Sequence, residues 1–445
     1  MSQESNPYRS PDDESMGSNS ESMSSLDESS LFHSSSYGWV IVVLAAFAML
    51  GTLPGRTHGL GMITERLLAD ESLHLDRQNF GYINLWATLI GAVFCIPAGW
   101  MLDRCGLRVT SSLTVGLLGL VVIAMTFSVG MVQFAILICL TRGLGQSALS
   151  VVSISMTGKW FRMGLPLATG VYSLLVSLGF MAAFIWGRTQ RDLDWRTQWL
   201  TLGGVLLCGL APVFALFVRS APEGKLDPSA ADNSIDQNDF ALYEALTTPA
   251  FWAFGIATSL YGLVSSGVSL FNESLLVERG FPKTAFYDLG TMTTLVGLAS
   301  NLLTGFLATQ VRINALAAVA MSLLATALLG LPFVSTYPQL VTYAVAMGCA
   351  GGMVTVLFFT IWAQLFGRAQ LGKIQGIAQM MTVVASAVGP VVLAEVKVRT
   401  GSYLPAIVGL GVLAAATAAA IAVIPNPCRA SEEISNLEIE PVAGS

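Results

Sequence analysis

Gly99-Trp100-Met101-Leu102-Asp103-Arg104-Cys105-Gly106-Leu107-Arg108 sets three formal charges and two glycines between two long apolar runs, 80–102 and 107–128. Each run has close to the ~20 residues that cross ~30 Å of hydrocarbon as a helix. The stretch therefore reads as a water-facing turn joining two membrane spans. The same pattern recurs on both sides of it, with apolar runs at 39–62, 131–156, 165–187, 197–219, 250–272, 288–309, 312–334, 338–363, 372–396 and 403–424. Transmembrane β-strands would instead alternate apolar and polar residues over about ten positions, and the runs show no such alternation.

Composition agrees. The chain is 53% hydrophobic and only 11% charged, with a mean hydropathy of +0.66. A soluble domain carries about 25% charged residues, so most of this surface must face something other than water. The six cysteines (Cys95, Cys105, Cys139, Cys208, Cys349, Cys428) are scattered without metal-ligand spacing, and most lie in apolar runs as small packing residues. No metal site, cofactor or nucleic-acid partner is expected.

The organisation predicted is a Ser-rich disordered tail over 1–36, a six-helix unit over 37–219, a linker over 220–247, a second six-helix unit over 248–425 and a tail over 426–445. The first segment holds fourteen serines and has no basic stretch ahead of a short apolar one, unlike a cleaved signal peptide. The linker collects Glu223, Lys225, Asp227, Asp232, Asp236 and Asp239 around Pro222 and Pro228, with a short helix expected from Asp239 to Leu246. An offset of 206 positions pairs Phe80 with Phe286, Gly91 with Gly297, Gly99 with Gly305, Gly145 with Gly351 and Gly170 with Gly376. Thr88-Leu89 likewise falls on Thr294-Leu295. Identities sharing one offset point to a duplicated unit, and paired six-helix units are how many secondary transporters are built, with the solute between them.

The GxxxDRxGxR run resembles the signature loop of the major facilitator superfamily. Further stretches are similar to it: Arg142-Gly143-Leu144-Gly145-Gln146, Trp160-Phe161 with Gly164 and Gly170, and Phe366-Gly367-Arg368 with Gln375-Gly376, Gly389-Pro390 and Gly401-Ser402-Tyr403. Together they look most like the branch of monocarboxylate and oxalate/formate carriers. The resemblance implies an all-α membrane protein of twelve transmembrane helices in two six-helix bundles. It also implies a monomeric carrier in the cell (plasma) membrane with both termini cytoplasmic. Gly99, Asp103, Arg104, Gly106 and Arg108 would form a conformational latch; an ordinary charged turn is the alternative. The second copy keeps Gly305 but has Thr309-Gln310 in place of Asp103-Arg104, so the latch is expected in the first half.

Ionisable residues deep in membrane helices are costly and therefore functional candidates. Arg142 stands about eleven residues into an otherwise uncharged run. It is expected either to bind an anionic substrate or to tie the fourth helix to the backbone of the first near Pro54. Arg56 and His58 follow Pro54-Gly55; they could attract anions, and His58 could titrate near neutral pH, although a solvated helix end would serve as well. Glu273, at the end of the seventh run, is a second coupling candidate or a merely solvated boundary residue. Gln146, Tyr172, Tyr261, Asn301, Trp362 and Gln379 are polar or aromatic groups expected to line a cavity, or to make ordinary interhelical bonds. A mid-helix carboxylate is missing, which weakens proton symport and leaves anion exchange or facilitated diffusion.

Loop charge favours the orientation only in part. Arg104, Arg108, Lys159 and Arg162 lie on the expected inner side, yet the expected outer side carries Arg66, Arg77, Arg188, Arg191, Arg196, Arg279, Lys283, Lys397 and Arg399. Orientation thus rests on the resemblance. The expectation is a secondary carrier of small organic anions in a lipid bilayer, with an exchanged or co-transported ion. The alternative is an exporter of amphipathic compounds of the drug/proton antiporter type. No HExxH, GxSxG or GxxxxGK[ST] occurs, so an enzyme is not expected.

Overall fold

A computed structural model describes residues 37–56, 59–60, 62–75, 77–161, 164–189, 193–220, 239–282 and 285–425. Among these there is no β-strand. Twelve helical spans follow from the apolar runs. They are α1 (Tyr37–Gly55), α2 (77–105), α3 (107–125), α4 (Met131–Trp160), α5 (Leu165–Thr189) and α6 (Trp195–Phe217). The second set is α7 (Pro249–Glu278), α8 (Ala285–Leu307), α9 (Ile313–Gly330), α10 (Tyr337–Phe366), α11 (Leu371–Thr400) and α12 (Leu404–Val423). With no water in the bilayer core, each backbone must satisfy its own polar groups, and a helix does this within one segment. Exposed Val43, Phe47, Leu113, Leu216, Leu303 and Leu413 then face lipid without penalty.

Chain reversal between α2 and α3 falls on Gly106, whose φ of 79° and ψ of 172° are open to glycine and strained for other residues. Inside the described part of the linker, the short helix is observed over Leu242–Thr247, three residues later than its predicted start. Asp239 accepts from the backbone N–H of Arg368 (2.6 Å) and Ala369 (3.2 Å) instead.

The two halves meet through the repeat-related glycines. α2 crosses α11 where a Cβ on Gly376 would lie 3.7 Å from the Gly99 Cα. α5 crosses α8 where a Cβ on Gly170 would lie 3.1 Å from the Gly305 Cα. Gly99 and Gly305 are mates at the 206 offset, as are Gly170 and Gly376. The same pair of positions thus builds both flanking contacts, as a twofold relation between the halves requires. Beside them, Thr169 of α5 and Thr360 of α10 share a hydroxyl hydrogen bond of 2.7 Å across the halves.

Each half is also tied at its far end. In the first, Arg196 at the start of α6 donates to Asp70 (3.0 Å), Ser72 (2.9 Å) and the carbonyl oxygens of Thr126 (2.5 Å) and Ser128 (3.3 Å). In the second, Glu278 accepts from Lys397 (2.7 Å) and from Ser402, and Arg279 donates to the Val334 carbonyl (3.2 Å). Ser72 falls on Glu278, Ser128 on Val334 and Arg196 on Ser402 at the offset of 206. The side chains differ, but the loops clamped are the same.

Candidate functional site

α1 breaks at Pro54. A single 3₁₀ turn over Leu53–Gly55 ends the helix, and Arg56 follows in extended conformation. The break lets α1 and α4 approach closely, since a Cβ on Gly145 would lie 3.2 Å from the Gly55 Cα. α4 in turn is π-helical over Arg142–Leu149, a widened form that is frequent at functional sites. Two guanidinium groups are brought together by these irregularities.

Arg56 donates from Nε to Thr52 Oγ1 (2.6 Å) and from Nη2 to Ser150 Oγ (3.1 Å) and the Met49 sulfur (2.9 Å). Its guanidinium lies 5.5 Å from the Phe180 ring centroid, within range of a cation–π attraction. Arg142 is only 2% exposed. It donates to Gln146 Oε1 and to Asn84 Oδ1, both at 2.8 Å. The two cations are close enough to act on each other electrostatically. Arg56, Gln146 and Asn84 are partly exposed, so they form the accessible front of the cluster and Arg142 its buried back. One turn below Ser150, Ser153 donates to the Ala45 carbonyl (2.6 Å) and shares a bond of 2.7 Å with the Tyr172 hydroxyl. The Tyr172 ring meets Phe359 of the second half edge-on, with centroids 5.0 Å apart. This buried ring contact joins the two halves.

Beyond that contact, at the end nearer the linker, the signature turn is engaged. Asp103 accepts from the backbone N–H of Gly372 (3.0 Å) and Lys373 (2.9 Å) and from Lys159 Nζ (2.8 Å). Its carboxylate, 6% exposed, thereby caps the N-terminus of α11, where the helix dipole favours a negative charge. Arg368 at the α10–α11 turn donates to the carbonyl oxygen of Phe161 in the first half. Arg108 donates to the Ala215 carbonyl of α6, and Arg104 lies over the Trp100 ring at 5.0 Å.

Twelve spans in two halves joined by repeat-related glycines are one mark of a known architecture, and the sequence match decides it. Residues 29–390 match the family model for the Major Facilitator Superfamily. The chain belongs to the major facilitator superfamily. Solved superfamily structures share the fold at low identity. The human organic anion transporter MFSD10 (TETRAN) aligns with a TM-score of 0.62 at 16% identity, over 86% of this chain and 97% of that one. FucP in the outward conformation gives 0.63 at 15% identity, over 86% and 98%. The E. coli fucose:proton symporter FucP gives 0.63 at 14% identity, over 87% and 98%.

Within this superfamily fold, the sequence candidates separate. Arg56, Arg142 and Gln146 converge, and Tyr172, bonded to Ser153, lies about one helical turn along α4 from Ser150. Tyr261, on α7 of the second half, packs on α10, where a Cβ added to Gly351 would lie 2.5 Å from its hydroxyl. Trp362 is fully buried, stacked on Phe366 at 6.2 Å and tilted against Phe251 at 5.3 Å. Asn301 is 4% exposed at the junction of α8 with α5 and α10, and Gln379 is 8% exposed on α11. Neither reaches the arginine cluster through a described contact. Glu273 is exposed, and α7 continues past it to Glu278. His58 lies outside the described residues. Asn84, Thr52 and Ser150 complete the cluster without having stood out in the sequence, because a polar residue inside a span carries no signal of its neighbours. A groove of about 460 Å³ between the outer halves of α2 and α4, lined by Tyr82, Trp86, Ile90, Met131, Ile136 and Cys139 among others, lies apart from these groups.

Proposed function

We propose that this superfamily member carries small organic anions across the bilayer by alternating access. The anionic group meets Arg56 and Gln146, and Arg142 supplies a second positive charge behind them. The observation that carries this reading is the Arg56–Arg142 pair, held by neutral partners in Thr52, Ser150, Gln146 and Asn84 at the centre of the first half. Burying two guanidiniums together costs several kcal/mol per ion, a cost a carrier recovers when an anion binds. The fold's similarity to an organic anion transporter is consistent with this class of solute.

Asp103 serves as the latch in the same reading. Its three bonds hold α2 and α4 to the start of α11 while the linker end is shut, and they must break before that end opens. Gly99 permits the crossing, and Arg108 fixes α3 against α6 beside it. Each half moves as a body because its outer loops are clamped separately. Both termini and the linker lie on the cytoplasmic side of the plasma membrane, with Arg108, Lys159 and Arg368 beside them.

The test is uptake of labelled carboxylates into proteoliposomes, with and without a pH gradient, for wild type, Arg142→Gln and Arg56→Gln. Both variants are expected to elute as folded monomers and to lose anion uptake at least tenfold. Undiminished uptake by both would remove the cluster from the transport path and favour export of uncharged amphiphiles.

A further inference from the structure

The duplicated register shows where chemistry has been concentrated. At the offset of 206, Asn84 falls on Gly290, Arg142 on Gly348, Gln146 on Gly352, Ser150 on Val356 and Ser153 on Phe359. Each polar contributor from α2 and α4 thus faces a glycine or an apolar residue in the other copy. Two of those glycines are consumed in packing. A Cβ on Gly348 would lie 2.7 Å from the Thr293 carbonyl oxygen, and one on Gly352 would lie 2.6 Å from that of Gly297. In the second half, α10 therefore closes directly on α8, where the first half inserts an arginine between α4 and α2. Neither α7 nor α10 carries a basic residue anywhere along its length.

The wall that the second half presents can be read from α10. Most of this helix is buried, but Met347, Gly351, Thr355 and Phe359 are partly exposed at every fourth position. The lowest, Phe359, meets Tyr172 of the first half, and Gly351 packs against Tyr261 of α7, so the lower end of the stripe lies where the halves meet. The Thr355 hydroxyl is engaged within its own helix, donating to the Gly351 carbonyl at 2.8 Å. The second half thus offers a thioether, a glycine, a threonine with its hydroxyl engaged and an aromatic ring, where the first half carries two guanidiniums.

We infer that the transported anion is amphipathic, with its charged head on the first half and an alkyl or aryl body against the α10 stripe of the second. This rests on the anion reading proposed above and narrows it. The geometry sets the scale. Arg56 bonds Ser150, Ser153 lies about one helical turn below, and Tyr172 carries that level to Phe359. A turn spans about 5.4 Å, roughly the length of a short alkyl chain or a phenyl ring. Small hydrophilic dianions would leave the stripe facing water and gain nothing from it. An amphipathic anion buries it, which also draws the second half over the bound solute.

The experiment is competition against one labelled monocarboxylate in proteoliposomes of the full chain, using acetate, butyrate, hexanoate and phenylacetate as unlabelled probes. Affinity is expected to rise about fourfold per added methylene, as burial of apolar surface predicts, and phenylacetate should match hexanoate. Phe359→Ala should reduce the preference for hexanoate over acetate about tenfold, and Phe359→Leu should restore most of it. Should Phe359→Ala fail to fold, Met347→Ala gives the same readout. Equal affinity across the series, or an unchanged preference in both variants, overturns the inference but leaves the anion reading intact provided that Arg56→Gln abolishes uptake of every member. If Arg56→Gln retains uptake while affinity still climbs with chain length, the solute is recognised as a neutral amphiphile and both readings fall.

Discussion

Replacing Asp103 with Asn tests the latch directly. In the structure the carboxylate accepts two backbone N–H groups at the head of α11 and the Lys159 ammonium, all between 2.8 and 3.0 Å. Hydrogen bonds to a charged group are each worth about 1.5–3 kcal/mol, and a partly buried anion at a helix N-terminus adds up to about 2 kcal/mol. Asn preserves the shape and one acceptor oxygen but not the charge, so the net loss from the closed state is set at about 2 kcal/mol. Since 1.4 kcal/mol is a factor of ten, the population with the linker end open should rise about thirtyfold. Ala363, 8% exposed and packed against Gly158 across the halves, gives a reporter. In a cysteine-free background, Ala363→Cys should react with a maleimide about thirtyfold faster when Asp103→Asn is added. A rate changed by less than twofold would mean that the contact does not limit opening, and the latch assignment would be withdrawn.

Three further outcomes follow from the geometry. Asn84→Leu removes one acceptor from the buried Arg142 guanidinium, a loss of about 1.5–3 kcal/mol, and should raise KM for the anion at least tenfold with little change in the amount of folded protein. Gly170→Val should pry α5 from α8, because even its first carbon would lie 3.1 Å from the Gly305 Cα; overpacking costs about 1–3 kcal/mol, and the maleimide rate at position 363 should climb accordingly. Burial alone would raise the Asp70 carboxyl, but donors from Ser72 and Trp195 and the charge of Arg196 outweigh it and hold it below the ordinary carboxylate value. The stability this lends is complete above the unfolded carboxylate pKa of about 3.9 and disappears as pH falls through the lower, folded one. Thermal unfolding in detergent between pH 6 and 2 should therefore lose less with Asp70→Asn than with wild type.

Sequence periodicity identified the spans because hydrocarbon imposes their length, and a twenty-residue apolar run needs no partner to be recognised. The signature turn was equally legible: its glycines and charges sit where a sharp reversal and a helix cap demand them. Arg142 stood out by its solvation cost alone. Its partner on α2 did not. Asn84 lies 58 positions away, and the choice between bonding α2 and bonding the backbone of α1 is made by the π-helical turn at Arg142–Leu149, which no local preference announces. Asn301, Trp362 and Gln379 met the same criteria as Gln146 and Tyr172 in the sequence, yet the packing of α8, α10 and α11 draws them away from the arginine cluster.

What the sequence determined by itself is the solvent, the number of crossings, the duplication and the place of the turn, since each follows from transfer energies and repeat identities along one chain. Only the tertiary structure decided which mates touch and which polar groups face one another. Gly99 and Gly170 each pair with glycines beyond their own half because α2 and α5 lie at the boundary, and the arginines fall in one cluster because α1 breaks and α4 widens beside it. Those are properties of three-dimensional packing, where a side chain's meaning depends on what the other helices leave room for.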